Sequence, residues 1–182
     1  METLLVDQGD GSLTVRTGVS GGAAKVGHSL LISMDVWRAE VGIVGGQPVS
    51  VSVDVEVDSL AVQEGTGGLR PLSGLDREMI HGNAVRSLKA KQHPRIGFRS
   101  TSLRRHGDAV DIAGVLTIAG ETRDVATVLQ VRESAESVAV SASVPIVQSD
   151  FQIKPYSLMF GQLRVSDEVE VHLEVSIDRS RL

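Results

Sequence analysis

Between Pro48 and Asp58 the chain alternates without a break: Val49, Val51, Val53, Val55 and Val57 on one parity, Ser50, Ser52, Asp54, Glu56 and Asp58 on the other. Successive side chains of a strand point to opposite faces, so this stretch reads as a strand with one apolar and one wetted face. A helix would scatter both sets around its circumference. Val169, Val171, Leu173, Val175 and Ile177, alternating with Glu170, His172, Glu174 and Ser176, repeat the pattern near the other end of the chain. Composition agrees. Hydrophobic residues make up 41% and aromatics only 3%, valine supplies much of the difference, and there are 19 glycines. Such a β-branched, aromatic-poor chain favours a strand-rich fold.

Six further segments alternate less regularly: Leu13 to Thr17, Leu30 to Val36, Ile96 to Ser100, Val110 to Ile118, Val125 to Val131 and Val138 to Ile146. Turn signals separate them at Gly9-Asp10-Gly11, Gly21-Gly22, Gly45-Gly46, His106-Gly107-Asp108 and Ala119-Gly120-Glu121. That makes about eight strands, spaced as an all-β sandwich or an up-and-down barrel would space them. From Ser73 to Ala90 the period lengthens. Ser73 and Asp76 form a capping-box pattern, and Leu72, Leu75, Met79 and Leu88 are expected to share a helical face. Gly82 and Asn83 weaken the middle, so two short turns are expected there, with Pro94 as the stop and His93 extended before it. The last residues, Asp178 to Leu182, are expected to fray. At 182 residues the chain is expected to form a single domain, with its core over about 12–178.

Much chemistry is missing. Net charge is −5 and the basic residues are dispersed, unlike a nucleic-acid footprint. There is no cysteine, so disulfides, thiolate metal sites and a Cys nucleophile are excluded. Met1 to Gln8 carries no basic segment and no long apolar run, and no stretch reaches the roughly 18 apolar residues of a membrane span. The expectation is a soluble cytoplasmic protein without stable membrane insertion. His28, His81, His93, His106 and His172 form no pair at two- or four-residue spacing, so no metal site is expected. Gly65-Thr66-Gly67-Gly68 lacks the Lys-Ser/Thr of a phosphate loop and reads as a mobile loop. No nucleophile elbow is present. Glu56 and Asp58 read as solvated carboxylates on a polar strand face. Lys89, Lys91, Arg95 and Arg99, with His93, make one modest basic patch. It is suited to a lipid head group or pyrophosphate, or more simply to a solvated helix end.

Three segments together resemble a known family: Ala84-Val85-Arg86-Ser87-Leu88-Lys89-Ala90-Lys91-Gln92-His93-Pro94-Arg95-Ile96-Gly97-Phe98-Arg99-Ser100; Gly114-Val115-Leu116-Thr117-Ile118-Ala119-Gly120-Glu121-Thr122-Arg123-Asp124-Val125; and Ser149-Asp150-Phe151-Gln152-Ile153 with Ser166-Asp167-Glu168-Val169-Glu170-Val171. In this order they look like the YceI-like family of lipid-binding proteins. They are similar to its helix–His-Pro–strand element, its G-x-L-T-I-x-G-x-T hairpin, its D-F-x-I strand and its closing D-E-V strand. Ala24-Lys25-Val26-Gly27-His28 resembles its histidine-bearing N-terminal element. Gln152 stands where the family commonly has glycine, so a bend there is expected to be altered. Many members carry a signal peptide, which this sequence does not show.

The resemblance implies an eight-stranded antiparallel lipocalin-like barrel with a helical insertion between mid-chain strands. It implies no enzyme and no cofactor, and a polyisoprenoid or isoprenoid-quinone type of lipid as the partner of a homodimer. An eight-stranded barrel is just wide enough to be filled by side chains or to hold one slender ligand. The expected ligand-binding residues are Val51, Val53, Val55, Ile96, Phe98, Leu116, Ile118, Val140, Val144, Phe151, Ile153 and Val171, each of which could equally be ordinary core. Trp37 and Phe160 are expected at a mouth or a dimer contact. Two other readings remain: a solidly packed barrel used only for dimerisation or partner binding, and, weaker, a metal-dependent enzyme built from histidines that meet in space.

Overall fold

In the computed structural model, which describes residues 2–182, the chain forms twelve strand segments and one α-helix. The strands are β1 (Glu2–Asp7), β2 (Gly11–Ser20), β3 (His28–Met34), β4 (Trp37–Val44), β5 (Gln47–Glu56), β6 (Leu60–Gly67), β7 (Arg95–His106), β8 (Ala109–Ile118), β9 (Glu121–Glu133), β10 (Ser137–Val147), β11 (Ser157–Leu158) and β12 (Leu163–Asp178). The helix, α1 (Gly74–Ser87), lies between β6 and β7. All strands belong to one antiparallel sheet in the order β1-β4-β5-β7-β8-β9-β10-β12-β2-β3-β6, with β11 paired to β12.

Twelve segments replace the eight expected because three long strands bend. β1 turns into β2 at Gln8–Asp10, β3 into β4 at Asp35–Val36, and β5 into β6 through a 3-10 turn at Val57–Ser59. Each half keeps the same neighbour across the bend: β2 pairs β3 as β1 pairs β4, and β3 pairs β6 as β4 pairs β5. No ladder joins β1 to β6 among the described residues. The wall closes because the bent strands carry it round, and β11 is a short addition. The expected all-β, lipocalin-like class therefore holds, as a curled antiparallel sheet.

The bends have a local cause. Backbone bonds join two of them to each other, from Asp35 N–H to Ser59 O (3.2 Å) and from Glu56 N–H to Val36 O (3.0 Å). Ser59 Oγ also donates to Glu56 O (2.7 Å). Val57, expected to continue the strand, turns into the interior at 1% exposure.

The helix starts where the sequence places it. Ser73 accepts from Asp76 N–H and Asp76 accepts from Ser73 N–H, completing the capping box. It runs unbroken through Gly82 and Asn83 to Ser87, rather than as two short turns. Its packed face is also different. Leu75 and Met79 are exposed, while Ile80, Ala84 and Leu88 pack on the core with Leu72.

Gly65–Gly67 is strand rather than mobile loop, since β6 pairs β3 as far as His28 opposite Gly67. Gly65 lies under Leu72, and Gly68 has φ +72° with the His28 ring against it. Phe151 is in a 3-10 turn, not a strand, and Gln152 takes φ 54°, ψ 28°. The bend is therefore kept, with glutamine in the left-handed backbone that glycine adopts more easily. Asp178 to Leu182 carries a final 3-10 turn held by Arg179 and Arg181.

Candidate ligand-binding site

The up-and-down course of the strands gives the wall two ends. One carries the hairpin turns at Gly45–Gly46, Gly107–Asp108 and Ser134–Glu136, with the C-terminus. The other carries the longer connections: 21–27, 68–94 with α1, 119–120 and 148–162. These are called below the hairpin end and the helix end.

Inward parities follow the alternation in the sequence. Leu13, Val15 and Thr17 of β2, Ala39, Val41 and Ile43 of β4, Val51, Val53 and Val55 of β5, and Val169, Val171, Leu173 and Val175 of β12 face one cavity of about 900 Å³. This is near the top of the roughly 300–1,000 Å³ typical of small-molecule sites. The space exists because valines, alanines and threonines are too small to meet across an eight-fold wall. Most of these side chains are only part-buried although they point inward, because they border empty volume. A solidly packed interior would leave them covered.

Of the twelve residues expected to bind ligand, eleven line the cavity: Val51, Val53, Val55, Ile96, Phe98, Leu116, Ile118, Val140, Val144, Ile153 and Val171. Phe151 does not. It is buried at 3% exposure in a plug with Ile118, Ala119, Ile146 and Ile153, with the Arg123 guanidinium 6.0 Å from its ring centre. Trp37 lies at neither a mouth nor a surface. It is 3% exposed and borders the cavity from within the core, and its indole N–H has no partner among the described residues. Phe160 projects fully into solvent. The helix contributes lining that alternation could not reveal: Ile80, Asn83, Ala84, Ser87 and Leu88.

Polar lining gathers at the two ends. At the hairpin end Arg105, Glu133 and Arg179 form a clamp across β7, β9 and the C-terminal turn. Arg105 Nη2 donates to Glu133 Oε1 (2.5 Å) and Arg179 Nη2 to Oε2 (2.7 Å). Arg105 foremost, then Arg179, hold the Glu133 carboxyl below its ordinary pKa. At the helix end the lining includes Tyr156, Leu158 and Arg164, all of them also exposed, so the cavity reaches the surface there, as it also does at the hairpin end through Gln47, Pro48 and Leu182.

The histidines do not converge. His28 Nε2 lies 2.8 Å from Arg70 O, His81 Nδ1 2.7 Å from Leu60 O, His106 Nε2 3.0 Å from Asp111, and His172 Nε2 3.2 Å from Glu170. The His93 ring lies over Gly120. Among the described residues no three metal-ligating side chains come together. The expected basic patch divides: Arg95 pairs with Glu56 (2.8 Å) and Arg99 with Asp54 (2.9 Å), leaving Lys89 and Lys91 beside the helix end. Among the described residues no helix is long and apolar enough to cross a membrane.

Comparison with known proteins supplies the rest. The family model of the YceI-like domain matches residues 11–177. Among solved structures the fold is similar to BcnA of Burkholderia cenocepacia, at TM-score 0.66 and 17% identity, covering 90% of this chain and 95% of that one. It is also similar to a YceI protein of Campylobacter jejuni, at TM-score 0.62 and 16% identity, covering 81% and 84%. A mutant of the latter was solved with a monobromobimane guest, at the same level of similarity. Comparison with curated protein sequences finds no match.

Proposed function

The chain belongs to the YceI-like family, and from that premise we propose that it holds a long apolar or amphiphilic lipid, of the polyisoprenoid or isoprenoid-quinone type, inside the barrel. It acts as a carrier, store or sequestering protein rather than an enzyme. The observation that carries this reading is the apolar cavity of about 900 Å³ bounded by inward valines that do not meet. Each CH₂ moved from water into such a space contributes about 0.8 kcal/mol before the costs of association. A chain of several isoprene units therefore needs no strong polar contact. The reading extends to a homodimer acting in the cytoplasm, to be checked by light scattering of the purified protein and by cell fractionation.

Native mass spectrometry of the purified protein, with organic extraction, tests the ligand. The expected result is an added mass in the polyprenyl or quinone range that is released on denaturation. An apo mass, together with no uptake of added polyprenyl lipid, would overturn the reading. Val53→Asp and Phe98→Asp each place a carboxylate inside the cavity and should cut lipid uptake at least tenfold. A folded variant that binds like the wild type would remove that residue from the site.

A further inference from the structure

We infer that the helix end docks on an anionic lipid bilayer and that the cavity exchanges its occupant there. Three independent features of that end meet in this inference.

The first is an apolar rim. At the end of β11 and in the turn that follows it, Leu158, Met159 and Phe160 are exposed, Phe160 completely. On α1, Leu75 and Met79 stand one turn apart on the outward face, opposite the Ile80, Ala84 and Leu88 face that packs on the core. Single exposed apolar residues are ordinary, but a group of large ones around an opening marks a contact surface.

The second is backbone strain. Met159 (φ 52°), Phe160 (φ 55°) and Gly161 (φ 87°) are consecutive left-handed residues, and two of them carry side chains. Such conformations persist where the surroundings hold them, and they gather at functional edges. Here the strained turn presents the aromatic ring outward.

The third is charge. The four helix-end connections (21–27, 68–94, 119–120 and 148–162) hold seven Lys/Arg against three Asp/Glu, a net of +4 in a chain of −5. The remainder is therefore at −9. A second copy placed face to face on this end would meet like charge, whereas an anionic bilayer meets opposite charge. Aromatic and long apolar side chains rimmed by lysine and arginine suit the boundary between head groups and acyl chains.

The cavity opens within this surface. Leu158 both borders the cavity and is about half exposed, and Tyr156 beside it does the same. A lipid leaving the bilayer at Phe160 would enter the barrel without crossing water. The inference rests on the lipid reading of the cavity for its purpose, and its test separates the two.

The test is sedimentation of the full-length protein with vesicles of phosphatidylcholine alone and of phosphatidylcholine mixed with phosphatidylglycerol. Binding is expected to the anionic vesicles only. It should be released near 1 M salt, where the screening length is about 3 Å. Met159→Ser/Phe160→Ser and Lys89→Glu/Lys91→Glu should each weaken vesicle partition about tenfold or more. Both pairs lie outside the cavity lining, so uptake of a detergent-dispersed polyprenol, measured without vesicles, should stay at the wild-type level. No binding of the wild type to anionic vesicles, or equal binding by both double variants, would overturn the inference. So would loss of self-association in the Phe160 variant with no change on vesicles, which would assign the rim to a second copy. Failure of polyprenol uptake with vesicle binding intact would instead overturn the lipid reading of the cavity and leave the docking surface standing.

Discussion

Gly114 decides how the cavity wall is built at one point. A Cβ there would lie 2.4 Å from Arg99 O and 2.6 Å from the Phe98 ring, so the ring rests on a strand surface with no side chain beneath it. Phe98 is the one aromatic among the inward residues of β7, and it reaches into the cavity only from this seat. Gly114→Ala should therefore destabilise the protein by about 1–3 kcal/mol, the usual range for overpacking. Displacing the ring should also reduce lipid uptake, since Phe98 borders the cavity. Chemical denaturation and a binding titration check both effects, and an unchanged midpoint would mean that the wall yields at no cost. Gly120, the second glycine of the same hairpin motif, has φ +86° and the His93 ring 2.6 Å from where a Cβ would stand. The motif thus encodes two close approaches. Periodicity could not disclose either, because each depends on a residue some 16 to 27 positions away.

At the scale of elements, legibility tracked the regularity of each pattern. β5, β8, β10 and β12 were readable because their inward residues are almost all aliphatic. β4 was readable in principle, since Trp37, Ala39, Val41 and Ile43 alternate with Arg38, Glu40 and Gly42, but Ala39 and Gly42 dilute the contrast. β6 could not be read: beyond Val62 it is Gln-Glu-Gly-Thr-Gly, and only its pairing with β3 holds it as strand. The helix boundary was legible through its cap, but its packed face was not. That face is set by which turn overlies the cavity, and Leu75 and Met79 satisfy helical spacing equally well. The hairpin-end clamp was invisible as well, because Arg105, Glu133 and Arg179 are far apart in sequence. It makes its own prediction. The folded-state pKa of Glu133 is lowered, so its contribution is present above the ordinary carboxylate value of 4.5 and is lost as pH falls through the lowered value. Acid should therefore loosen Arg179–Leu182 from β9 while the helix-end plug, whose core is apolar, keeps its protection. Hydrogen exchange followed from neutral pH to about pH 3 would show this, and uniform protection of the C-terminal turn across that range would contradict it.

For the whole molecule the cavity is a cost carried in the unliganded state. Inward valines that border empty volume forgo the contacts a filled core would give them, so the apo wall is less stable than its burial pattern suggests. Anything that fills the space and does not bind the unfolded chain must raise stability by mass action. At a free ligand concentration of about 100 times Kd the gain is about 2.7 kcal/mol. For a chain of this size each kcal/mol moves Tm by roughly 2–4 °C, so a saturating polyprenol should raise Tm by roughly 5–11 °C. A ligand too short to span the space should bind more weakly, because part of the wall stays bare, and so give less at equal free concentration. Thermal melts against a series of isoprenoids of increasing length therefore report the fit of the cavity directly. A rise in Tm that grows with chain length and then levels off marks the length at which the cavity is full. A Tm indifferent to every member of the series would mean that the space is not a binding site, and that the valine parity serves only to keep the wall curled.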